Sequence, residues 1–142
     1  MFVRHLLLTA AAVVVFVNSA TAQDAWTVPN YTGGYDCYNR SGFQGSSQPN
    51  NQGGHDFYGT GGKIGVSTPN HVGGFAFVTG SGVSGFTTPN YTGGVDFNNG
   101  QGRAGYSVPN YSGGQSCYGS GGSGSSFPNY SGGYQFHSRW NR

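Results

Sequence analysis

After residue 33 apolar and polar side chains alternate in short runs bounded by glycine. Tyr35-Asp36-Cys37-Tyr38, Phe75-Ala76-Phe77-Val78 and Val95-Asp96-Phe97-Asn98 each follow a Gly-Gly pair and lead into a second glycine group. Alternation with period two sends successive side chains to opposite faces of a strand. Counted from the preceding proline, position eight is always apolar: Cys37, Phe57, Phe77, Phe97, Cys117 and Phe136. Position seven is mostly polar: Asp36, Asp56, Ala76, Asp96, Ser116 and Gln135. The pattern predicts a half-buried strand, with positions six and eight pointing to a core. A glycine-rich turn follows, then a second short strand such as Lys63 to Ser67. Each unit therefore reads as strand, turn, strand, corner.

The corner is the most constant part. Pro29-Asn30, Pro49-Asn50, Pro69-Asn70, Pro89-Asn90, Pro109-Asn110 and Pro128-Asn129 recur at a spacing of 20 residues, except for a last interval of 19. Gly33-Gly34 and its five equivalents follow each of them. Pro presets φ for a turn and Asn tolerates positive φ, while Gly-Gly permits a second tight bend. A hydroxyl closes the units at Ser47, Ser67, Thr87, Ser107 and Ser126. A fixed period of this size marks a repeat architecture. One buried ring cannot offset the entropy of ordering a whole unit, so units must associate.

The expected fold is all-β: a short β-solenoid of six stacked strand-turn-strand units, with the asparagines forming an amide ladder as in cross-β stacks. A strand meander or barrel, and a largely disordered Gly-rich chain, are the alternatives. In a solenoid Cys37 and Cys117 stand four rungs apart, roughly 19 Å, which is too far for a disulfide. They are expected to fill the Phe column or to bridge separate molecules.

Composition narrows the picture. Arg4 and His5, an apolar run from Leu6 to Val17, and Ala20-Thr21-Ala22 form a secretory leader over residues 1–22. The apolar run is too short to span a bilayer. A short lead-in (23–27), the repeats (28–138) and a tail (139–142) complete the expected organisation, and the mature protein is expected outside the cell or at its surface. Charged residues make up 7% of the chain, against about 25% in ordinary domains. Beyond the leader, five Lys/Arg face four Asp, and there is no Glu. Nothing here offers an electrostatic footprint for nucleic acid. Gly is abundant, Leu is absent after residue 8 and Ile64 is the only isoleucine, so a helical core is excluded.

Candidate chemistry is sparse. Gly80–Gly85 and Gly100–Gly105 match G-x-G-x-x-G, but a dinucleotide site needs a following helix. Gly-Gly-x-Asp-aromatic, carried by Asp36, Asp56 and Asp96, resembles the calcium-binding nonapeptide repeats of secreted toxins. The period differs, and solvated strand faces are the expected role of these aspartates. His55, His71 and His137 fall in three different columns, so no ligand pair is expected. Asn30, Asn39, Asn90, Asn110 and Asn129 begin N-x-Ser/Thr sequons, which could carry glycans in a eukaryotic secretory route. No catalytic arrangement, cofactor or metal is expected, and the chain does not read as an enzyme.

Position two of the corner carries Tyr31, Asn51, His71, Tyr91, Tyr111 and Tyr130, a contact face for sugar rings or for a neighbouring molecule. An uncapped, weakly charged sheet end pairs readily with other chains. The leading expectation is thus a secreted structural protein that stacks end to end with itself into a β-rich, amyloid-like extracellular fibre or matrix. In unit length and strand-turn-strand layout it resembles the curli-type secreted amyloids, although their Ser, Gln and Asn spacing is absent. A monomeric module binding cell-surface polysaccharide through the Tyr/Asn face is the competing reading, and a disordered Tyr/Gly-rich adhesive is a third.

Overall fold

The computed structural model describes residues 25–80, 82, 84–119 and 122–140. The expected leader (1–22) lies outside them. Twelve strands run through the described residues. They are β1 (Ala25–Pro29), β2 (Tyr35–Asn39), β3 (Gly42–Pro49), β4 (His55–Gly59), β5 (Gly62–Pro69), β6 (Phe75–Thr79), β7 (Ser84–Pro89), β8 (Val95–Asn99), β9 (Gly102–Pro109), β10 (Gln115–Gly119), β11 (Gly122–Pro128) and β12 (Tyr134–Trp140). Each pairs antiparallel with its chain neighbours, and β12 pairs with β1, so the sheet closes into a barrel.

The fold is all-β, and it is the closed meander rather than the solenoid. The reason lies in the second glycine group. Asn39 pairs with Gly42 across a two-residue turn, and Gly42 takes a φ of 106° that favours glycine. The two strands of a unit are therefore joined edge to edge by backbone hydrogen bonds. A solenoid rung would need them in separate sheets, each bonded to the rungs above and below. Successive hairpins lie side by side, and the asparagines form no amide ladder.

All six Pro-Asn corners lie at one end of the barrel, because corners and hairpin turns alternate along an up-and-down sheet. The hairpin turns, and both ends of the strand array, lie at the other. Ala25, Trp26 and Thr27, expected as lead-in, are part of β1. This strand supplies the second strand that the sixth unit lacks, and Thr27 supplies its missing hydroxyl. Arg139 and Trp140, expected as tail, continue β12 opposite β11.

The one irregular interval has a simple origin. In the hairpins β2–β3, β4–β5 and β8–β9 the register slips by one residue, leaving Gln44, Ile64 and Ala104 as bulges. In β10–β11 the pairing runs unbroken through Cys117↔Gly124 and Tyr118↔Ser123. The 19-residue interval is a unit without that bulge; β6–β7 is also paired without a slip from Ala76↔Phe86 to Val78↔Ser84, so the twentieth residue of its unit falls between Val78 and Ser84. The same residue types still face inward.

The barrel is filled by alternation of size. Large inward side chains come from the even-numbered strands, at positions six and eight. The odd-numbered strands contribute Pro, Ser, Thr and Gly to the same face: Ser47 lies opposite Phe57, and Gly65 lies on its other side. Phe57, Phe97 and Cys37 are buried as the column predicts, while Phe77, Cys117 and Phe136 are half-buried. A twelve-stranded barrel is wider than the eight-stranded kind that side chains just fill, and four phenylalanines and two cysteines make up the position-eight layer of this one.

The outer wall is mixed. Trp26 stacks on Tyr38 with ring centroids 5.9 Å apart, Tyr106 stacks on Tyr118, and Arg103 lies over the Tyr106 ring. Asp56 pairs with Lys63 at 3.0 Å, and Asp96 with Arg103 at 2.7 Å. No helix among the described residues is long and apolar enough to cross a membrane. The strands run five to eight residues, short of the roughly 9–11 of a bilayer-spanning strand, and their outer face carries aspartate.

Candidate functional site at the corner end

Each corner is held by its asparagine. In the first, Asn30 Oδ1 accepts from the backbone N–H of Thr32 (3.2 Å) and Gly34 (3.0 Å), forming an Asx-type turn. Its Nδ2 donates to the Ser47 carbonyl of the next odd strand at 3.1 Å, and to Asp36 Oδ1 at 3.1 Å. Gly33 has a φ of 88°, and a Cβ on Gly34 would collide with the Ser47 carbonyl. Gly-Gly is thus one residue for conformation and one for close approach. The same staple recurs in every corner, ending with Asn129 Nδ2 to the Thr27 carbonyl at 2.9 Å. Four of the five sequon asparagines (Asn30, Asn90, Asn110 and Asn129) donate through this Nδ2.

The hydroxyl column finishes the seam. Ser47 Oγ accepts from Tyr35 N–H at 3.0 Å, and Ser67, Thr87, Ser107, Ser126 and Thr27 do the same for His55, Phe75, Val95, Gln115 and Tyr134. Proline sits opposite these residues, as Pro29 opposite Tyr35. Ser47 Oγ also donates to the Tyr35 carbonyl at 3.4 Å, so both backbone groups of Tyr35 turn to the serine and its carbonyl does not depend on the N–H that Pro29 lacks.

Position two then has nowhere to pack. The asparagine folds inward, the second glycine lies flat on the neighbouring carbonyl, and the side chain between them projects into solvent. Tyr31 is 100% exposed, and Tyr91, Tyr111 and Tyr130 are 101%, 112% and 111% exposed. Asn51 and His71 complete the crown, also exposed. The predicted contact residues Tyr31, His71, Tyr91, Tyr111 and Tyr130 are thereby brought to one end of the molecule.

Below the crown lies the inner ring at position six: Tyr35, His55, Phe75, Val95, Gln115 and Tyr134. Burial raises the Tyr35 and Tyr134 hydroxyl pKa values, and Tyr35 raises that of Tyr134 further. The ring below it holds both thiols, which are free. Burial pushes Cys37 up to about 12, with Asp36 adding to it, and Cys117 up to about 11. Among the described residues no group of three or more His, Cys, Asp or Glu side chains could hold a metal ion.

The position-six ring and Thr27 were the parts least visible in the sequence as site elements. Position six varies among Tyr, His, Phe, Val and Gln, so no single residue type marks it. Thr27 precedes the first proline by two, as Ser47 precedes Pro49, and that spacing was the available signal. Comparison with protein-family models, with characterised proteins and with solved structures finds no match for this chain.

Proposed function

We propose that the protein is a secreted binding module that holds polysaccharide on the crown of Tyr31, Tyr91, Tyr111 and Tyr130. The observation carrying this reading is the full exposure of four tyrosine rings on corners fixed by repeated hydrogen bonds. A tyrosine offers a flat apolar face and a polar tip at small cost in side-chain entropy. Mounted on a stapled turn, it is ordered before it binds, which limits the entropic cost of binding. The flanking hydroxyls of Thr32, Thr92, Ser112 and Ser131 add hydrogen-bonding groups suited to sugars. The leader supports an extracellular location.

The test is affinity electrophoresis of residues 23–142 through gels containing xylan, dextran or soluble cellulose derivatives. Retention by at least one matrix is expected, with loss of retention when all four tyrosines become alanine and circular dichroism is unchanged. Absence of retention on every matrix, or retention indifferent to the tyrosines, refutes the reading.

Self-association into a fibre or matrix is the second reading. It is favoured by the low charge and by the exposed Trp26, Phe43, Val78, Phe86 and Tyr118 on the outer wall. A closed sheet has no free edge, so association would run through side chains rather than through added strands. Sedimentation across a hundredfold concentration range separates the two: the binding module stays monomeric, and the matrix protein does not.

A further inference from the structure

The aromatic rings of the crown stand alone. Full exposure of Tyr31, Tyr91, Tyr111 and Tyr130 means that none leans on another ring or on the wall beneath it. Following the strand order, their four corners are consecutive around the rim, and Asn51 and His71 fill the two places left. Neighbouring corners are two strands apart, about 10 Å at the usual strand spacing, which keeps the rings out of contact. The six other tyrosines are placed differently. Tyr35 and Tyr134 point into the barrel, Tyr38 stacks on Trp26, Tyr106 stacks on Tyr118 with centroids 5.1 Å apart, and Tyr58 is half-buried.

Few other groups compete with these four phenols for an oxidant. Methionine and thiolate are common targets, and the one methionine is Met1, in the expected leader. Both cysteines face the barrel interior, where burial keeps their thiols protonated and so less reactive. Trp26 is covered on one side by Tyr38. A phenol that gives up one electron and its proton becomes a radical whose spin reaches the ring carbons ortho to the oxygen. At the crown those carbons face solvent, so the radical meets another molecule rather than its own wall. The six corner segments contain no Asp, Glu, Lys or Arg, and no like charge holds two rims apart.

We propose that the crown is an oxidative cross-linking site, at which copies of this chain are joined by dityrosine bonds through Tyr31, Tyr91, Tyr111 and Tyr130, with a peroxidase and hydrogen peroxide as the oxidant. In each bond an ortho carbon of one ring joins an ortho carbon of a ring on the other molecule, and the protons displaced from those carbons return to the phenolic oxygens. Two phenols give up two electrons and two protons in all, and one hydrogen peroxide takes them up to form two molecules of water. This use of the crown is independent of the polysaccharide reading. A phenylalanine keeps the flat ring face that a sugar stacks on and lacks the phenol that coupling needs, so one variant separates the two.

The experiment treats residues 23–142 with a peroxidase and limiting hydrogen peroxide, in buffer and in urea. In buffer, dityrosine fluorescence and covalent oligomers on reducing, denaturing gels are expected, with the cross-linked peptides mapping to the four crown tyrosines. In urea the cross-links should spread to the tyrosines of the strands, because the fold no longer shields them. Changing all four crown tyrosines to phenylalanine should remove nearly all of the dityrosine formed in buffer, with circular dichroism and the urea midpoint unchanged. No dityrosine in buffer, dityrosine confined to monomers, cross-links mapping to Tyr38, Tyr58, Tyr106 or Tyr118 instead, or a yield untouched by the four phenylalanines overturns the proposal. Oligomers that depend on the crown phenols sustain it even where no polysaccharide is retained. Retention of polysaccharide by a parent that does not cross-link overturns it and leaves the polysaccharide reading standing.

Discussion

Ser107 offers the sharpest stability test. Its hydroxyl accepts the Val95 N–H at 3.0 Å, and both residues are 1% exposed. Its carbonyl accepts from Asn90 Nδ2 at 2.9 Å, a bond that does not involve the side chain. Ser107→Ala therefore removes one acceptor and leaves one buried donor facing a methyl group. Leaving such a donor unsatisfied costs about 1–3 kcal/mol. With an m-value of about 1–3 kcal/mol/M in urea, a loss of about 2 kcal/mol lowers the midpoint by about 1 M. The chain contains its own control, since Thr27 and Thr87 fill the same position and remain buried. Ser107→Thr should accordingly stay within about 0.5 kcal/mol of the parent. Equilibrium urea unfolding followed by circular dichroism measures both. A Ser107→Ala midpoint matching the parent, or a Ser107→Thr loss as large as that of alanine, would refute the role given to the hydroxyl column.

Three further outcomes are expected. Asn129→Ala, whose Nδ2 bond joins the last unit to β1, and Asn70→Ala, whose equivalent bond to Thr87 lies within the third unit, each remove one corner-to-strand bond and two turn bonds. Both should destabilise by about 2 kcal/mol; a seam variant indistinguishable from the parent in urea would argue against closure. The folded chain holds its thiol protons to about pH 12 at Cys37 and about pH 11 at Cys117, whereas the unfolded chain releases them from about 9.0. This contribution to stability is full below pH 9 and declines as pH rises toward 11 and beyond, and iodoacetamide at pH 8 should label both cysteines slowly in buffer and rapidly in urea. Deleting the bulged Ile64 should give a cooperatively folding barrel, at a cost of about 1 kcal/mol for a half-buried side chain; deleting Val66 removes the same bulge but seats Ile64 in place of Gly65, where a Cβ crowds the Val78 carbonyl at 2.9 Å, and should be clearly more destabilising in urea.

Much of the local structure was legible because the constraint at each position is local. Pro-Asn-x-x-Gly-Gly specifies a corner through φ preferences and one close approach, and the period of two specifies which side chains turn inward. Phe57 and Phe97 are buried for the reason their column implied. Closure was not legible in the same way. A solenoid and a meander share the same strands, turns and inward columns, and differ only in which backbone groups meet. The clue lay in two incomplete units, Ala25–Pro29 with its Thr27, and Tyr134–Trp140 without a successor; each is half of one hairpin. The crown followed from position two alone, but its placement at a single end required the up-and-down order of the strands. The inner ring could not be read from a column whose residues have nothing in common except direction.

The staple from one corner to the next strand is the same in all six units, and it involves only immediate neighbours. Nothing in it counts. A chain with one more unit would make the same corners, the same hydroxyl bonds and the same closing seam, while its circumference grew by two strands. Unit number is therefore a dial on the bore of the barrel, separable from the chemistry of the rim. Related rings built from five or seven such hairpins would keep the tyrosine mounts intact and differ in the width of what enters between them.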